Sequence, residues 1–551
     1  MQANARPGYV WHLYVMPRKT IKFTRHCMKR RIAVLDCETD PFRRHRIPKP
    51  FIWGWYDGAE FLTFETCDEV AAFLDDQDCI VYAHNGGRFD WHFLLPYACA
   101  YDTVQIINGR IAKMRIGQAE CRDSYNIIPV PLGAYKKDDI DYSIMERDQR
   151  NKPANRAAIR KYLYGDCLYL YELVSTFISR YGLKLTQAGA AMKQWAKISK
   201  RELPHTDAEF YEALSPFYYG GRVQCFESGV IDAPFKVYDI NSAYPYAMLH
   251  KHPYSANYSQ TDGFEPHADF VTVNCVSHGA FPYRGQGQGL AFPDDDERRT
   301  YTVTRWEYDA AIDTGTISDI DVSESITFIG HVDFADYINH FYEERKRARK
   351  SGDEAGSLFA KLLMNSLYGK FAANPTHYKN YMIVPMDVIA GLDACGWQFS
   401  GEFGPWGLAE SPLAPEQQRF YNVATGASIT GFVRAFLWRA ICAAERVLYC
   451  DTDSIAVGRA VLPLGAELGQ WKDEGVFDRA GIAGKKMYIF RGVPDAKGKR
   501  QYKTASKGVK LTQAQLWRLA KGQGIRYVPE VPTFSVNKAP VFVPRNVRFT
   551  A

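Results

Sequence analysis

With 551 residues, 46% of them hydrophobic and 24% charged, the chain has room for several domains and the composition of a folded globular protein. No apolar run approaches the roughly 18 residues of a membrane span, the N-terminus lacks the apolar core of a signal peptide, and the twelve cysteines include no CxxC pair; this argues against a transmembrane segment, zinc site or disulfide framework and fits a reducing compartment. The net charge of +6 is concentrated at the ends, since residues 1–31 hold eight Lys or Arg and no acid, and residues 501–551 hold nine against the single Glu530. Such ends read either as solvated tails or as surfaces for a phosphate backbone.

After the basic N-terminal arm (1–30), Arg31–Leu35 reads as a buried strand running into Asp36-Cys37-Glu38. Residues two apart on a strand share a face, so Asp36 and Glu38 point the same way. A second strand, from Ile80, leads into Asn85-Gly86-Gly87-Arg88-Phe89-Asp90, a glycine turn followed by a segment that opens with Asp90. Residues 155–179 show helical periodicity, with Tyr162 and Asp166 four apart on one face. The four carboxylates Asp36, Glu38, Asp90 and Asp166 each stand beside a regular element.

From about Leu203 the pattern changes. Tyr218-Tyr219-Gly220-Gly221-Arg222 sets a glycine pair among aromatics, where backbone can approach another chain closely. The strand 235–238 ends at Asp239, and Pro245 interrupts the segment beyond it. Residues 355–372 read as one helix. At about 100° per residue, Lys361, Asn365 and Tyr368 share one face, while Phe359, Leu363 and Leu367 share another. Just before it runs the charge-dense Glu343–Lys350. Finally, Tyr449-Cys450-Asp451-Thr452-Asp453-Ser454 reads as two strands joined at a tight turn. Asp451 and Asp453 repel each other unless cations lie between them, and grouped hard oxygens suit Mg²⁺. Asp-Thr-Asp is also an ordinary turn sequence; the partner strand at Asp239 is what points to a metal site.

These runs resemble, in order, the three exonuclease motifs and the three polymerase motifs of family B DNA polymerases. The first half is similar to the attached 3′–5′ exonuclease. The resemblance implies that Asp36, Glu38, Asp90 and Asp166 hold two metals and that Tyr162 orients the attacking water. It also implies that Asn85, Phe89 and Ser124 hold the single-stranded 3′ end. Phage members carry a lysine shortly after an Ile-Asp-Tyr; in Ile140-Asp141-Tyr142-Ser143-Ile144 that place falls to Ile144, with Lys136, Lys137 or Arg147 as substitutes. In the second half, Asp239, Asp451 and Asp453 match the polymerase carboxylates and Tyr244 the residue under the sugar. Lys361, Asn365 and Tyr368 match the nucleotide-binding helix, with Arg349, or alternatively Arg345, as a further triphosphate cation. Tyr218, Gly220 and Gly221 match the Tyr-x-Gly-Gly link between the two sites. Thr430 and Arg434 match a primer or template contact, and Lys486 and Tyr488 the Lys-x-Tyr primer clamp.

Two stretches without a motif, roughly 251–331 and 373–423, fall where insertions mark the protein-primed subgroup, so the chain is identified as a member of that phage-type subgroup; from the run Asp40-Pro41-Phe42 through Pro48-Lys49-Pro50-Phe51 and from its length it looks most like the tectivirus-like branch. The resemblance implies an α/β multidomain fold: an RNase H-like 3′–5′ exonuclease domain (31–200), then a right-hand polymerase domain (201–551). The latter divides into a palm with an antiparallel sheet (201–250, 424–507), a first insertion (251–331), helical fingers (332–372), a second insertion (373–423) and a small thumb (508–551). It implies two Mg²⁺ per active site, with Mn²⁺ as substitute; template and primer DNA, dNTPs and a terminal protein carrying the priming hydroxyl as partners; a monomer or a heterodimer with that protein; and the host cytoplasm as location. Alternatives are a template-primer polymerase without protein priming, separated by whether a nucleotide becomes attached to a partner protein, and a non-catalytic nucleic-acid-binding protein, which would have no need of seven such acids.

Overall fold

The computed structural model describes residues 30–285, 287 and 289–550. The basic arm lies outside them except for Arg30, which pairs with Asp78 at 3.0 Å and Glu120 at 3.1 Å. The apolar run at Ile80 forms the strand Cys79–Ala83, buried along its whole length as expected of a strand covered on both faces. It pairs parallel with Arg31–Thr39 on one side and Ala119–Asp123 on the other. The alternation of side chains then divides the core. Ala33, Leu35 and Val81 pack on one face, against Val70 and Leu74 of the helix Cys67–Asp75. Val34, Ile80 and Tyr82 pack on the other, against Ile159 and Leu163 of the helix Pro153–Tyr181. Asp36 and Glu38 continue the Val34 row, so they face that long helix.

The helix Pro153–Tyr181 runs 29 residues, roughly 44 Å at 1.5 Å per residue. Its first half covers the N-terminal sheet. Its second half belongs to another part of the molecule: Phe177 and Tyr181 pack on Phe359, Arg180 pairs with Asp353 at 2.6 Å, and the Tyr181 hydroxyl donates to Glu344 at 3.0 Å. The helices Ala335–Ser351 and Glu354–Ser366 that supply these partners are thus anchored on it. The single helix expected over 355–372 divides at Leu367 into Glu354–Ser366 and Tyr368–Phe371. Phe359, Leu363 and Leu367 are all fully buried, as their shared face predicts.

A second sheet of eight strands contains, side by side, Trp471–Gly484, Phe235–Ile240, Ser454–Arg459 and Glu445–Asp451. Phe235–Ile240 runs two residues beyond the expected strand, so Asp239 lies within a paired segment. Pro245 falls in the first turn of the short helix Ala243–Ala247, where its missing N–H has no helical partner to lose. Residues 258–328 build a four-stranded sheet with the helix Arg305–Asp313.

Two long-range features escape local pattern. The strands Lys379–Val384, Gln398–Phe403 and Trp406–Pro412 extend the N-terminal sheet to ten strands, through pairing of Tyr381 with Val104. The C-terminal hairpin Thr533–Ser535 and Lys538–Val541 also reaches the N-terminal sheet's helices. Its Phe534 sits in an aromatic socket with ring centroids 5.4 Å from Phe89, 5.3 Å from His92 and 5.6 Å from Phe93. No helix among the described residues is long and apolar enough to cross a membrane.

Phe534 is 6% exposed. Truncation to Ala removes about 3–5 kcal/mol of packing, concentrated on the docking of one short hairpin. In Phe534→Ala, amides of residues 533–541 should exchange with solvent far faster than in wild type, while the central strand Cys79–Ala83 keeps its protection. Unchanged exchange at the hairpin would show that something else anchors it.

Candidate functional site

The structure gathers the predicted acids at two places. At the end of the N-terminal sheet, oxygens of Asp36, Glu38 and Asp166 all lie within 4.8 Å of one another. Asp36 and Glu38 come from one strand face, and Asp166 from the helix packed upon it. Asp90, 2% exposed, stands at the start of the helix Asp90–Leu94. Burial, then the charges of Asp90, Asp166 and Glu38, holds the Asp36 carboxyl well above the usual range. Burial and then Asp166 push Glu38 up to about 8. Burial pushes Asp90 up to about 7. Asp90 Oδ1 and Asp166 Oδ1 are buried without a hydrogen-bond partner. Crowded, mutually repelling carboxylates with orphaned oxygens fit a hard divalent cation, Mg²⁺ or Mn²⁺, far better than they fit an ordinary core.

Tyr162, one helical turn before Asp166, has its hydroxyl 3.2 Å from that of Tyr142. Of the three cations left open by sequence, Lys137 faces this group. Burial opposes its charge, but Asp166 and then Tyr142 outweigh that and hold its pKa up. Lys136 is turned to Glu172 at 3.1 Å and Arg147 to Asp40 at 2.9 Å. Ile144 is partly buried and packs against the core. Asp36, Asp166 and Lys137 line a cavity of about 550 Å³ together with Asn85, Arg88 and Arg110. Asn85, in left-handed backbone at φ 60°, accepts a hydrogen bond from Arg110 at 3.1 Å. Phe89 borders the aromatic socket of Phe534.

In the second sheet Asp239 pairs in register with Ser454, and the Ile240 N–H donates to the Asp453 carbonyl at 2.8 Å. Residues separated by more than two hundred positions are therefore cross-strand neighbours, roughly 5 Å apart at Cβ. Burial, then Asp239 and Asp451, pushes Asp453 up to about 6. Burial and then Glu474 raise Asp239, opposed by Lys503, Lys472 and Lys361. Among the described residues these three acids do not close into a group as tight as the first. Lys486 engages Asp451 at 2.7 Å. Thr452, at φ 61°, makes the bend. Glu474, Lys472 and Lys503 were not anticipated. Glu474 accepts from Lys472 at 3.1 Å and from Lys503, both beside Asp239. The signal was present in Lys472 and Glu474, two apart on a strand and so on one face.

Tyr244 stacks on Tyr368, centroids 4.1 Å apart and rings 5° from parallel. Lys361 is exposed, and Asn365 donates to the Lys361 carbonyl at 2.8 Å. Arg349 is exposed on the helix Ala335–Ser351, whereas Arg345 is partly buried. Tyr488 is buried and stacks on Phe490. Tyr218, Gly220 and Gly221 run past the bend: a Cβ on Gly221 would meet Thr452 at 2.7 Å and the Tyr244 hydroxyl at 3.0 Å. The next residue, Arg222, accepts the Thr452 N–H on its carbonyl at 2.6 Å. Its guanidinium is sandwiched 4.2 Å from the rings of both Trp438 and Phe292.

Three expected strand contacts are corrected by their placement. Ser124 is fully buried, its hydroxyl bonded to the Ala83 carbonyl at 3.2 Å and to His84 at 3.0 Å. Thr430 is 1% exposed and Arg434 2%. Their polar groups are satisfied inside the protein, Thr430 by the Ala427 carbonyl at 3.1 Å and Arg434 by Glu307 at 2.7 Å.

A family described as DNA polymerase type B, organellar and viral, matches residues 122–394. The DNA-directed DNA polymerase of Enterobacteria phage PRD1 is 37% identical over 573 residues, spanning 97% of this chain and 100% of that protein. The DNA polymerase of Bacillus phage phi29 is 27% identical over 157 residues, 27% of this chain and 24% of that one. The solved structure of phi29 DNA polymerase complexed with primer-template DNA and incoming nucleotide superposes with a TM-score of 0.71 at 18% identity, covering 95% of this chain and 100% of that chain. At that identity the likeness speaks for the fold.

Glu38, Asp90 and Asp453 each hold a proton more tightly folded than unfolded. The stability these protons contribute to the metal-free chain is therefore fully present below about pH 4 and is lost as pH rises through the raised values of about 6, 7 and 8 for Asp453, Asp90 and Glu38; buried His84, His92 and His252, pushed down to about 4, oppose it below about pH 6.5, so the net loss is read in the window from about pH 6.5 to 8. Thermal melts in chelator should show Tm dropping across this window, with added Mg²⁺ reversing the drop. A flat profile, or one that Mg²⁺ leaves unchanged at pH 8, would count against metal binding by these acids.

Proposed function

The chain belongs to the phage-type family B DNA polymerases, and from that premise we propose that it copies linear genomes from a protein primer, displaces the strand ahead, and proofreads 3′ ends at a second site. The observation that carries the two-site reading is the presence, on one chain, of two separate carboxylate centres, one at the end of each major sheet.

In this reading Asp239, Asp451 and Asp453 hold two Mg²⁺ ions at the polymerase site, and Asp36, Glu38, Asp90 and Asp166 hold two at the exonuclease site. Bound there, such ions activate the attacking oxygen and neutralise charge on the leaving group. The chain's own residues do the rest. Tyr244, packed on Tyr368, floors the nucleotide pocket beneath the sugar and shuts out a 2′-hydroxyl. Lys361 and Arg349, exposed cations on neighbouring helices, receive the triphosphate, and Asn365 lies one turn from Lys361. Lys486 and Tyr488 steady the primer, with Lys486 free to exchange Asp451 for phosphate. Tyr218, Gly220 and Gly221 form the path by which the primer end passes between sites. At the second site Asn85 and Phe89 hold the frayed end, Tyr162 orients the water, and Lys137 supplies the cation missing at Ile144. The first insertion offers a surface to the terminal protein, and the second, joined to the exonuclease sheet, wraps template. The substrates are template and primer DNA and dNTPs, and the enzyme works in the host cytoplasm as a monomer or beside its terminal protein.

Three expectations test this. Asp453→Asn should reduce primer extension at least 100-fold, the scale for losing preorganised charge, while sparing excision of a single-stranded oligonucleotide; Asp166→Ala should do the reverse. A parallel loss of both activities in either variant would refute two independent centres. Lys137→Met should lower excision by roughly tenfold or more and leave extension intact, which a labelled single strand and a primer-template read separately. With template, Mg²⁺, one labelled dNTP and the candidate terminal protein, label should become covalently fixed to that protein; transfer only to DNA primers would assign the chain to conventional priming.

A further inference from the structure

Glu307 lies on the helix Arg305–Asp313 of the first insertion, remote in sequence from both carboxylate centres. Its side chain is 3% exposed and that of its partner Arg434 is 2% exposed. Arg434 Nε donates to Oε1 at 2.7 Å and Nη2 to Oε2 at 3.0 Å, a forked pair shut away from water. The remaining nitrogen, Nη1, donates to the carbonyls of Tyr219 at 2.5 Å and Gly220 at 2.9 Å. Glu307 is fixed from its other side as well. Its Oε2 accepts the Thr304 N–H at 3.2 Å and the Thr304 hydroxyl at 2.9 Å, closing the N-terminus of its own helix. Gly431 permits the approach, since a Cβ there would strike Thr304.

The clamped carbonyls belong to the loop that continues into Gly221 and Arg222, which touch Thr452 and Tyr244 at the polymerase site. Further holds come from the same insertion: the Tyr219 hydroxyl meets Thr302 at 3.1 Å, and Arg222 donates to the Gly279 carbonyl at 2.8 Å. A buried charge pair of this kind adds little net stability over apolar side chains of equal volume, but it specifies geometry. The geometry specified here is that of the segment Tyr218–Gly221.

We infer that Glu307 is a positioning residue for primer transfer: through Arg434 it sets the loop between the two centres, and so the share of primer ends that stay at Asp239 and Asp453 rather than reach Asp36 and Asp166. This rests on the two-site reading of the chain. It places control of primer partitioning in the first insertion, outside both centres.

The test uses the full chain, Glu307→Gln, and a double variant carrying Glu307→Leu and Arg434→Met, which leaves no charge buried alone. Folded fraction is checked by thermal melting, and three rates are measured: extension of a primer-template, excision on the same primer-template, and excision of a single strand that needs no transfer. The expected result is single-strand excision close to wild type, with the excision-to-extension ratio on primer-template shifted roughly tenfold in both variants, the factor for one charge-assisted contact. A ratio unchanged in both folded variants, or three rates falling together, overturns the inference. A wild-type chain that extends but excises nothing overturns the two-site reading instead, and this inference with it.

Discussion

Carboxylates set side by side and partly shielded from water repel one another, and the folded backbone holds them so in two places. Each cluster costs stability in the absence of cations, which is why burial and neighbouring acids raise Asp36, Glu38, Asp90 and Asp453 together. The cost is borne by very rigid surroundings. Asp36 and Glu38 extend a row of core side chains on a strand buried between two helical layers, and Asp239 is paired on both edges. A loop could not hold these groups against their own field.

Cations are distributed with the same economy. Lys137 sits against the first cluster and Lys486 on Asp451, while Lys472 and Lys503 are tied to Glu474 beside Asp239. Each stands beside an acid that favours its charge. Arg222 and Arg434 differ in being shut away from water, Arg434 with its acid Glu307. They are buried, bonded to carbonyls and aromatic faces, and serve as struts between the first insertion and the bend at Thr452.

What could be read from sequence depends on the range of the interaction. Period-two alternation put Asp36 and Glu38 on one face, and the four-residue spacing put Tyr162 over Asp166, because both depend on local geometry alone. The apolar face of residues 355–372 was legible for the same reason, while the break at Leu367, beyond which Tyr368 stacks on the distant Tyr244, was not. Burial was the commonest loss. Ser124, Thr430 and Arg434 have side chains suited to a nucleic-acid strand, and only long-range packing turns them inward. The choice of Lys137 over Lys136 and Arg147, the pairing of residues 379–412 with the N-terminal sheet, and the seat of Phe534 all depend on contacts between segments hundreds of positions apart or on which way a loop turns.

The helix Pro153–Tyr181 carries Asp166 in its first half and is bolted to Phe359 and Asp353 by its second. Under the two-site reading, a single uninterrupted rod thus joins the trimming site at Asp166 to the helices that carry Lys361 and Arg349, and acts as a ruler between them. A strand end crosses such a span only by melting away from its complement. On that reading, the double helix then supplies the difference between a correct and an incorrect end, since poorly matched ends fray more readily, and the loop held by Arg434 sets how readily a frayed end moves on.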